Sequence, residues 1–221
     1  ANGVGVIFEV DPSTNTYTKR FDFNTQSNGF LPTAYSLVEV GGKLFGTAVA
    51  GGEHGYGVIY EYDLETGNYQ KRFDFTEGTN FQESLVKASD GMLYGTTGRG
   101  GTQDHGTIFR FDPLNGDFEV LHHFDGVNGS RPGGGLLLAP NGKIYGTARL
   151  GGSSNKGVVF EFDPATGNFA KKHDFTGPEG SYPSVSGLIF VKDNQHITFN
   201  PLPSKDIGDP DFELTATSDS P

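Results

Sequence analysis

The chain has no cysteine and no tryptophan, and one methionine among 221 residues. Without thiols there is no disulfide, no zinc–thiolate site and no cysteine nucleophile. No apolar run reaches the ~18 residues a membrane-spanning helix needs. Positive charge is scarce: 16 Lys and Arg stand against 27 Asp and Glu, a formal net charge of −11. Such a surface repels phosphate backbones and anionic headgroups, so neither nucleic acid nor membrane insertion is expected. The opening ANGVGVIFEV lacks the basic and apolar regions of a signal peptide, and the sequence is expected to start inside a longer protein. Short catalytic signatures are missing as well. There is no G-x-S-x-G elbow and no calcium-loop pattern, and Gly98-Arg99-Gly100-Gly101 lacks the Lys-Ser/Thr of a phosphate loop. No cofactor is expected.

What the chain has in abundance is glycine, 34 residues, with 19 Phe and nine Tyr. Many tight-turn residues beside many aromatics predict an all-β protein. The strongest signal is internal repetition. GVIFEVDPSTNTYTKRFDF from Gly5 recurs as GVIYEYDLETGNYQKRFDF from Gly57, GTIFRFDPLNGDFEVLHHFD from Gly106 and GVVFEFDPATGNFAKKHDF from Gly157. A second block alternates with it: SLVEVGGKLFGTA from Ser36, SLVKASDGMLYGTT from Ser84 and GLLLAPNGKIYGTA from Gly135.

Each repeat reads as four strands. An apolar run such as Leu136-Leu137-Leu138 leads through Gly41-Gly42, Asp90-Gly91 or Asn141-Gly142, dipeptides suited to primed hairpin turns. The second strand carries an aromatic followed by Gly46, Gly95 or Gly146, a glycine expected to permit close backbone approach. The third strand alternates, with Val58, Tyr60 and Tyr62 on one face and Ile59 and Glu61 on the other. A type I turn then leads to the fourth, its last residue expected left-handed: Gly67, Gly116 and Gly167 in three repeats and Asn15 in the first. Four hairpin-linked strands per ~50 residues is the period of a β-propeller blade. The chain therefore reads as a half-blade, three whole blades and a second half-blade over 1–194, a partial or closed propeller. Closure into a four-bladed ring would pair the N-terminal half-blade with Leu188–Val191 and Gln195–Phe199. Phe8, Tyr60, Phe109 and Phe160 share one repeat position, and Phe45, Tyr94 and Tyr145 another; both sets are expected between blades.

The paired glycines and Asp-Pro-x-Thr-Gly turns in GKIYGTA…GG…GVVFEFDPATGNF resemble kelch-like blades, and more closely the tandem GloVer repeat of bacterial exported proteins. That resemblance covers about residues 5–191. It implies an extracellular or cell-surface location and no activity. The usual kelch tryptophan is missing. The tail HITFNPLPSKDIGDPDFELTATSDSP resembles the start of the immunoglobulin-like modules of bacterial adhesins, of the MBG type. Residues 195–221 thus read as a truncated module or linker.

In an up-and-down blade the two-to-three loops and the interblade connections lie at one end. Here those segments are long and variable, whereas the opposite turns are regular. The variable end carries His54, Arg99, His105, Arg131, Arg149 and Tyr182, the candidate ligand-binding residues for a glycan or protein. No catalytic or metal-binding residue is expected. His122 and His123 are adjacent and face opposite sides of a strand. Asp22, Asp74, Asp125 and Asp174 recur once per repeat and are read as hydrogen-bonding strand ends. The expected function is a non-enzymatic module of a bacterial surface protein acting in adhesion or glycan or protein binding. The alternatives are a polysaccharide lyase or hydrolase, or a structural spacer.

Overall fold

A computed structural model describes residues 4–23, 28–32, 37–76, 85–178, 180–183 and 188–189, and the backbone of 197–199 and 216–218. The chain divides into two compact units, Ala1–Leu188 and Ile189–Pro221. The first unit is built from antiparallel sheets with no α-helix among the described residues. Blade 1 is a hairpin of β1 (Val6–Asp11) and β2 (Thr16–Asp22). Blade 2 comprises β3 (Phe30–Pro32), β4 (Val38–Val40), β5 (Lys43–Ala50), β6 (Val58–Asp63) and β7 (Tyr69–Asp74). Blade 3 runs β8 (Val86–Lys87), β9 (Leu93–Thr97), β10 (Thr107–Phe111) and β11 (Phe118–His123). Blade 4 comprises β12 (Ser130–Pro132), β13 (Leu137–Leu138), β14 (Ile144–Leu150), β15 (Val158–Phe162) and β16 (Phe169–Asp174). The second unit contributes β17 (Ile197–Phe199) and β18 (Ala216–Ser218), which pair with each other.

The four-stranded propeller blades are as the repeat predicts, and of the partial and closed propellers it allows the described sheets form the open one: β1 pairs with β2, and Ile197–Phe199 with Ala216–Ser218. Leu188–Val191, apart from 188–189, lies outside the described residues. Strand one is also longer than the apolar run suggests. In blades 2 and 4 it comes in two segments, β3 with β4 and β12 with β13, both laid along the same neighbour.

The turns divide likewise. Gly41 and Gly42 are both left-handed, at φ 59° and 80°, as a primed two-residue turn requires. Asp90-Gly91 and Asn141-Gly142 belong instead to loops one residue longer. There the Gly N–H closes on Ala88 or Ala139, and only the glycine is left-handed. The extra Ser89 or Pro140 moves the Asp or Asn out of the position that needs positive φ.

Strand alternation places one face of each strand three against the preceding blade and the other against the following blade. Ile7 and Phe23 of blade 1 pack with Val58, Tyr60 and Tyr62 of blade 2. Phe45, Ile59 and Phe75 of blade 2 pack with Phe109 and Phe111 of blade 3. Tyr94, Ile108 and Phe124 of blade 3 pack with Val158, Phe160 and Phe162 of blade 4. The core is therefore three interblade layers. Two expected members lie outside them. Phe8 is 55% exposed because no described blade covers its face, and Tyr145 is half-buried, its hydroxyl donating to Glu161 Oε2 at 2.6 Å. The strand-two glycines behave as expected. A Cβ on Gly95 would stand 2.3 Å from Phe109 Cζ, since the ring lies across its directly paired glycine.

Each interblade layer ends in a ring stack: Phe21 on Tyr69 at 4.2 Å, Phe73 on Phe118 at 4.1 Å, and His122 on Phe169 at 3.9 Å. His122 thus fills an aromatic's place. Its Nε2 is buried without a partner, and burial holds the imidazole below its ordinary pKa of 6.5. Charging it costs folded-state stability, so the unfolded chain binds the proton first. Stability is then fully present above about pH 6.5 and falls as pH drops through that value. His122→Phe, matching Phe21 and Phe73, is expected to abolish this part of the acid sensitivity. Equilibrium unfolding of both proteins between pH 5 and pH 8 checks it, and parallel curves would remove His122 as the cause.

Candidate functional site

The two ends of the blades differ in chemistry. At the turn end, Asp11, Asp63, Asp112 and Asp163 each accept backbone N–H groups of their own turns. The Ser13 hydroxyl and N–H hold Asp11 at about 2. Among the described residues two buried carboxylates are also engaged there. Glu61 meets Lys43 at 2.5 Å and Arg72, and Glu161 meets Lys143 at 2.8 Å and the Tyr145 hydroxyl. Lys143 first, and then Tyr145, keep the Glu161 carboxyl below its usual range. A carboxylate so neutralised is suited to structure rather than to proton transfer. Among the described residues no group of three or more His, Asp or Glu is arranged to hold a metal ion.

The loop end is more ordered than its sequence suggests. The three two-to-three loops share one backbone. Gly57 N–H donates to Gly51 O at 2.8 Å, Gly106 to Gly100 at 3.1 Å and Gly157 to Gly151 at 3.1 Å. Gly55, Asp104 and Asn155 occupy one left-handed position, at φ 82°, 55° and 52°. Asp104 and Asn155 each accept the N–H of Gly100 or Gly151 at 2.9 Å. An acceptor at the end of strand four clamps each loop from below. Asp74 takes the Glu53 N–H at 2.7 Å and Asp174 the Ser153 N–H at 2.9 Å. In blade 3 that acceptor is His123, whose Nδ1 takes the Thr102 N–H at 3.3 Å. His123, and not Asp125, is therefore the repeat counterpart of Asp74. Asp125 instead accepts from Asn128 at 2.7 and 3.0 Å. To accept, His123 must carry its proton on Nε2.

On this fixed backbone the exposed side chains vary. His54 is exposed in the blade 2 loop. Arg99 is half-buried; its guanidinium is 3.8 Å from Asp104, and its Nε is buried without a hydrogen bond. His105 Nδ1 lies 2.8 Å from Ser130 Oγ of the next blade. Arg131 is on strand β12 and Arg149 on strand β14, so neither is a loop residue as the sequence suggested. The register pairs Ser130 with Leu150 and Pro132 with Ala148, which places Arg131 and Arg149 opposite one another. The Arg131 N–H also donates to His105 O at 2.8 Å. The backbone register thus brings Arg131 and Arg149 beside His105, Arg99 lies in the same loop as His105 against Asp104, and His54 and Tyr182 stand in other segments.

Arg131 shares an uncommon feature with Leu31 and Tyr182. All three precede a proline and are left-handed, at φ 57° for Leu31, 54° for Arg131 and 56° for Tyr182. That region is costly for ordinary side chains. Each N–H donates across the blade junction, to Val4 O, His105 O and Lys156 O respectively. Each following proline covers the glycine that opens the preceding strand three: Pro32 over Gly5, Pro132 over Gly106 and Pro183 over Gly157. The latch fixes the backbone under a variable side chain; Leu31 is 50% and Tyr182 48% exposed, and Arg131 is half-buried. Sequence reasoning missed it, although Leu31-Pro32, Arg131-Pro132 and Tyr182-Pro183 recur at one place in the repeat.

The profile of the Gloeobacter/Verrucomicrobia repeat matches residues 1–139 and 71–196. A search of curated proteins finds no match. Among solved structures, TolB from Acinetobacter baumannii is similar at 26% identity and a TM-score of 0.51, over 75% of this chain and 37% of TolB. The extracellular domain of the one-component system BT4673 from B. thetaiotaomicron gives 17% identity and a TM-score of 0.47, over 77% of this chain and 22% of that one. A chain of the nidogen/laminin complex gives 12% and 0.49, over 76% and 58%. This chain spans well under half the length of TolB.

Proposed function

The chain belongs to the Gloeobacter/Verrucomicrobia repeat family, and on that premise we propose that it is a non-enzymatic binding module of an exported or cell-surface protein, with its ligand on the loop face. The observation that carries this reading is the cationic spot of Arg131 and Arg149 on facing strand positions beside His105. In blade 2 the same facing positions hold Leu31 and Val49. The two guanidinium groups are local cations on a chain of net charge −11. They suit a ligand bearing carboxylates, a uronic-acid glycan or acidic protein side chains, which guanidinium groups recognise well. The rigid loops and latches hold the contacts in place before binding, which limits the ordering cost. The tail, read as the opening of an MBG-type module over 195–221, would make this one part of a multidomain adhesin; that reading rests on its sequence.

Calorimetric titration with an oligouronate and with a glutamate-rich peptide tests the proposal. Arg131→Glu and Arg149→Glu are each expected to weaken the bound ligand by about tenfold or more, as charge-assisted hydrogen bonds contribute ~1.5–3 kcal/mol. The melting temperature of Arg149→Glu, at an exposed position, is expected to stay nearly unchanged. Binding that neither substitution alters would place the site elsewhere.

A further inference from the structure

We infer that the two-to-three loop of blade 3, residues 98–105, is an acid-released element: a proton on His123 undoes its clamp while the loops of blades 2 and 4 stay anchored. All three loops are held by one kind of anchor, an acceptor at the end of strand four that takes a loop N–H. In blades 2 and 4 the acceptor is a carboxylate. Asp74 Oδ1 accepts the Glu53 N–H at 2.7 Å, and Asp174 Oδ1 the Ser153 N–H at 2.9 Å. In blade 3 it is His123 Nδ1, which accepts the Thr102 N–H at 3.3 Å. The imidazole sits where the carboxylates sit. A Cβ on Gly101 would stand 2.8 Å from His123 Nδ1, and one on Gly52 2.5 Å from Asp74 Oδ1. One anchor of three is thus a group that titrates in a different range from the others.

A neutral imidazole has one bare nitrogen and accepts; an imidazolium has two N–H groups and cannot. Which ring nitrogen faces Thr102 does not alter this, since neither accepts once both carry protons. Imidazoles take their proton between about pH 5 and pH 8, carboxylates near ~4. Asp74 is also paired with Lys71 at 2.6 Å, and Lys171 holds the Asp174 carboxyl below its usual range. The blade 3 clamp is therefore present when the imidazole is neutral and lost as pH falls, in a window where the other two persist. The titratable and charged groups about His123 are His122 and Asp125 on its own segment and Arg99, Asp104 and His105 in the loop; opposite it on β10 stands Thr107, which has no charge. Both carboxylates are engaged elsewhere, Asp104 with Gly100 and Arg99, and Asp125 with Asn128. His105 keeps its contact in acid, because the Ser130 hydroxyl 2.8 Å from its Nδ1 can accept as well as donate. The bonds within the loop, Gly106 to Gly100 and Gly100 to Asp104, do not involve His123, so the loop leaves strand four as a unit. This holds whatever the loop face binds.

Amide hydrogen exchange of the whole chain, read by NMR as protection relative to an unstructured peptide at the same pH, tests this. The amides of Glu53, Thr102 and Ser153 report the three clamps in one sample. From about pH 8 to about pH 5.5 the protection of Thr102 is expected to fall about three- to tenfold, the effect of losing one hydrogen bond. Glu53 and Ser153 are expected to hold theirs. His123→Asp restores the residue of the other blades and is expected to keep Thr102 protected throughout. His122→Phe is expected to leave the fall intact, which separates the clamp from the ring stack beside it. Constant protection at Thr102, an equal fall at all three amides, a fall that persists in His123→Asp or one abolished by His122→Phe overturns the proposal.

Discussion

Gly106→Ala is expected to unfold the protein or remove most of its stability. Gly106 opens strand three of blade 3 at φ 99°, and a Cβ there would stand 2.3 Å from Thr97 O and 2.6 Å from Pro132 Cδ. Two costs add. The backbone strain contributes ~1–3 kcal/mol, and forcing atoms into a packed site another ~1–3 kcal/mol. Their sum approaches the ~5–15 kcal/mol of a whole domain. Gly142→Ala is the control. It has a left-handed φ of 79° but nothing within 4 Å of the added carbon, so only the conformational term remains, ~1–2 kcal/mol. Denaturant unfolding of the two variants separates them. Equal losses would mean that the proline latch does not press on Gly106.

Phe160→Ala is expected to cost ~3–5 kcal/mol, the range for large core aromatics. Its ring is fully buried between blades 3 and 4, edge-on to Phe124 at 5.3 Å, and covers Gly146. Phe8→Ala, at the same repeat position but 55% exposed, is expected to change stability by less than ~0.5 kcal/mol at dilution. Midpoints from urea unfolding check the contrast. Similar losses at both positions would show that Phe8 is covered after all.

Much of the fold was legible because repetition averages out local ambiguity. The strands, the Gly-aromatic cross-strand pairs and the left-handed Asn15, Gly67, Gly116 and Gly167 all follow from positions seen three or four times. What repetition hides is any difference between copies. Phe8 and Tyr145 look like their counterparts in sequence and differ only in what lies beside them. The equivalence of His123 with Asp74 was masked by chemistry, since an imidazole nitrogen can replace a carboxylate as an acceptor. At the loop face, variable side chains suggested irregular loops, whereas the glycine, Asp and Asn at the left-handed positions specify a common backbone. The pairing of Arg131 with Arg149 depends on strand register, which no residue spacing states.

The proposed recognition surface is the loop end of the blades. Backbone amide shift mapping by NMR, during titration with an oligouronate and with a glutamate-rich peptide, tests it most directly. Perturbations are expected to be confined to Gly52–Tyr56, Gly101–His105, Gly152–Lys156, Arg131, Arg149 and Tyr182. Perturbations centred instead on the turns Asp63–Gly67, Asp112–Gly116 and Asp163–Gly167 would contradict it.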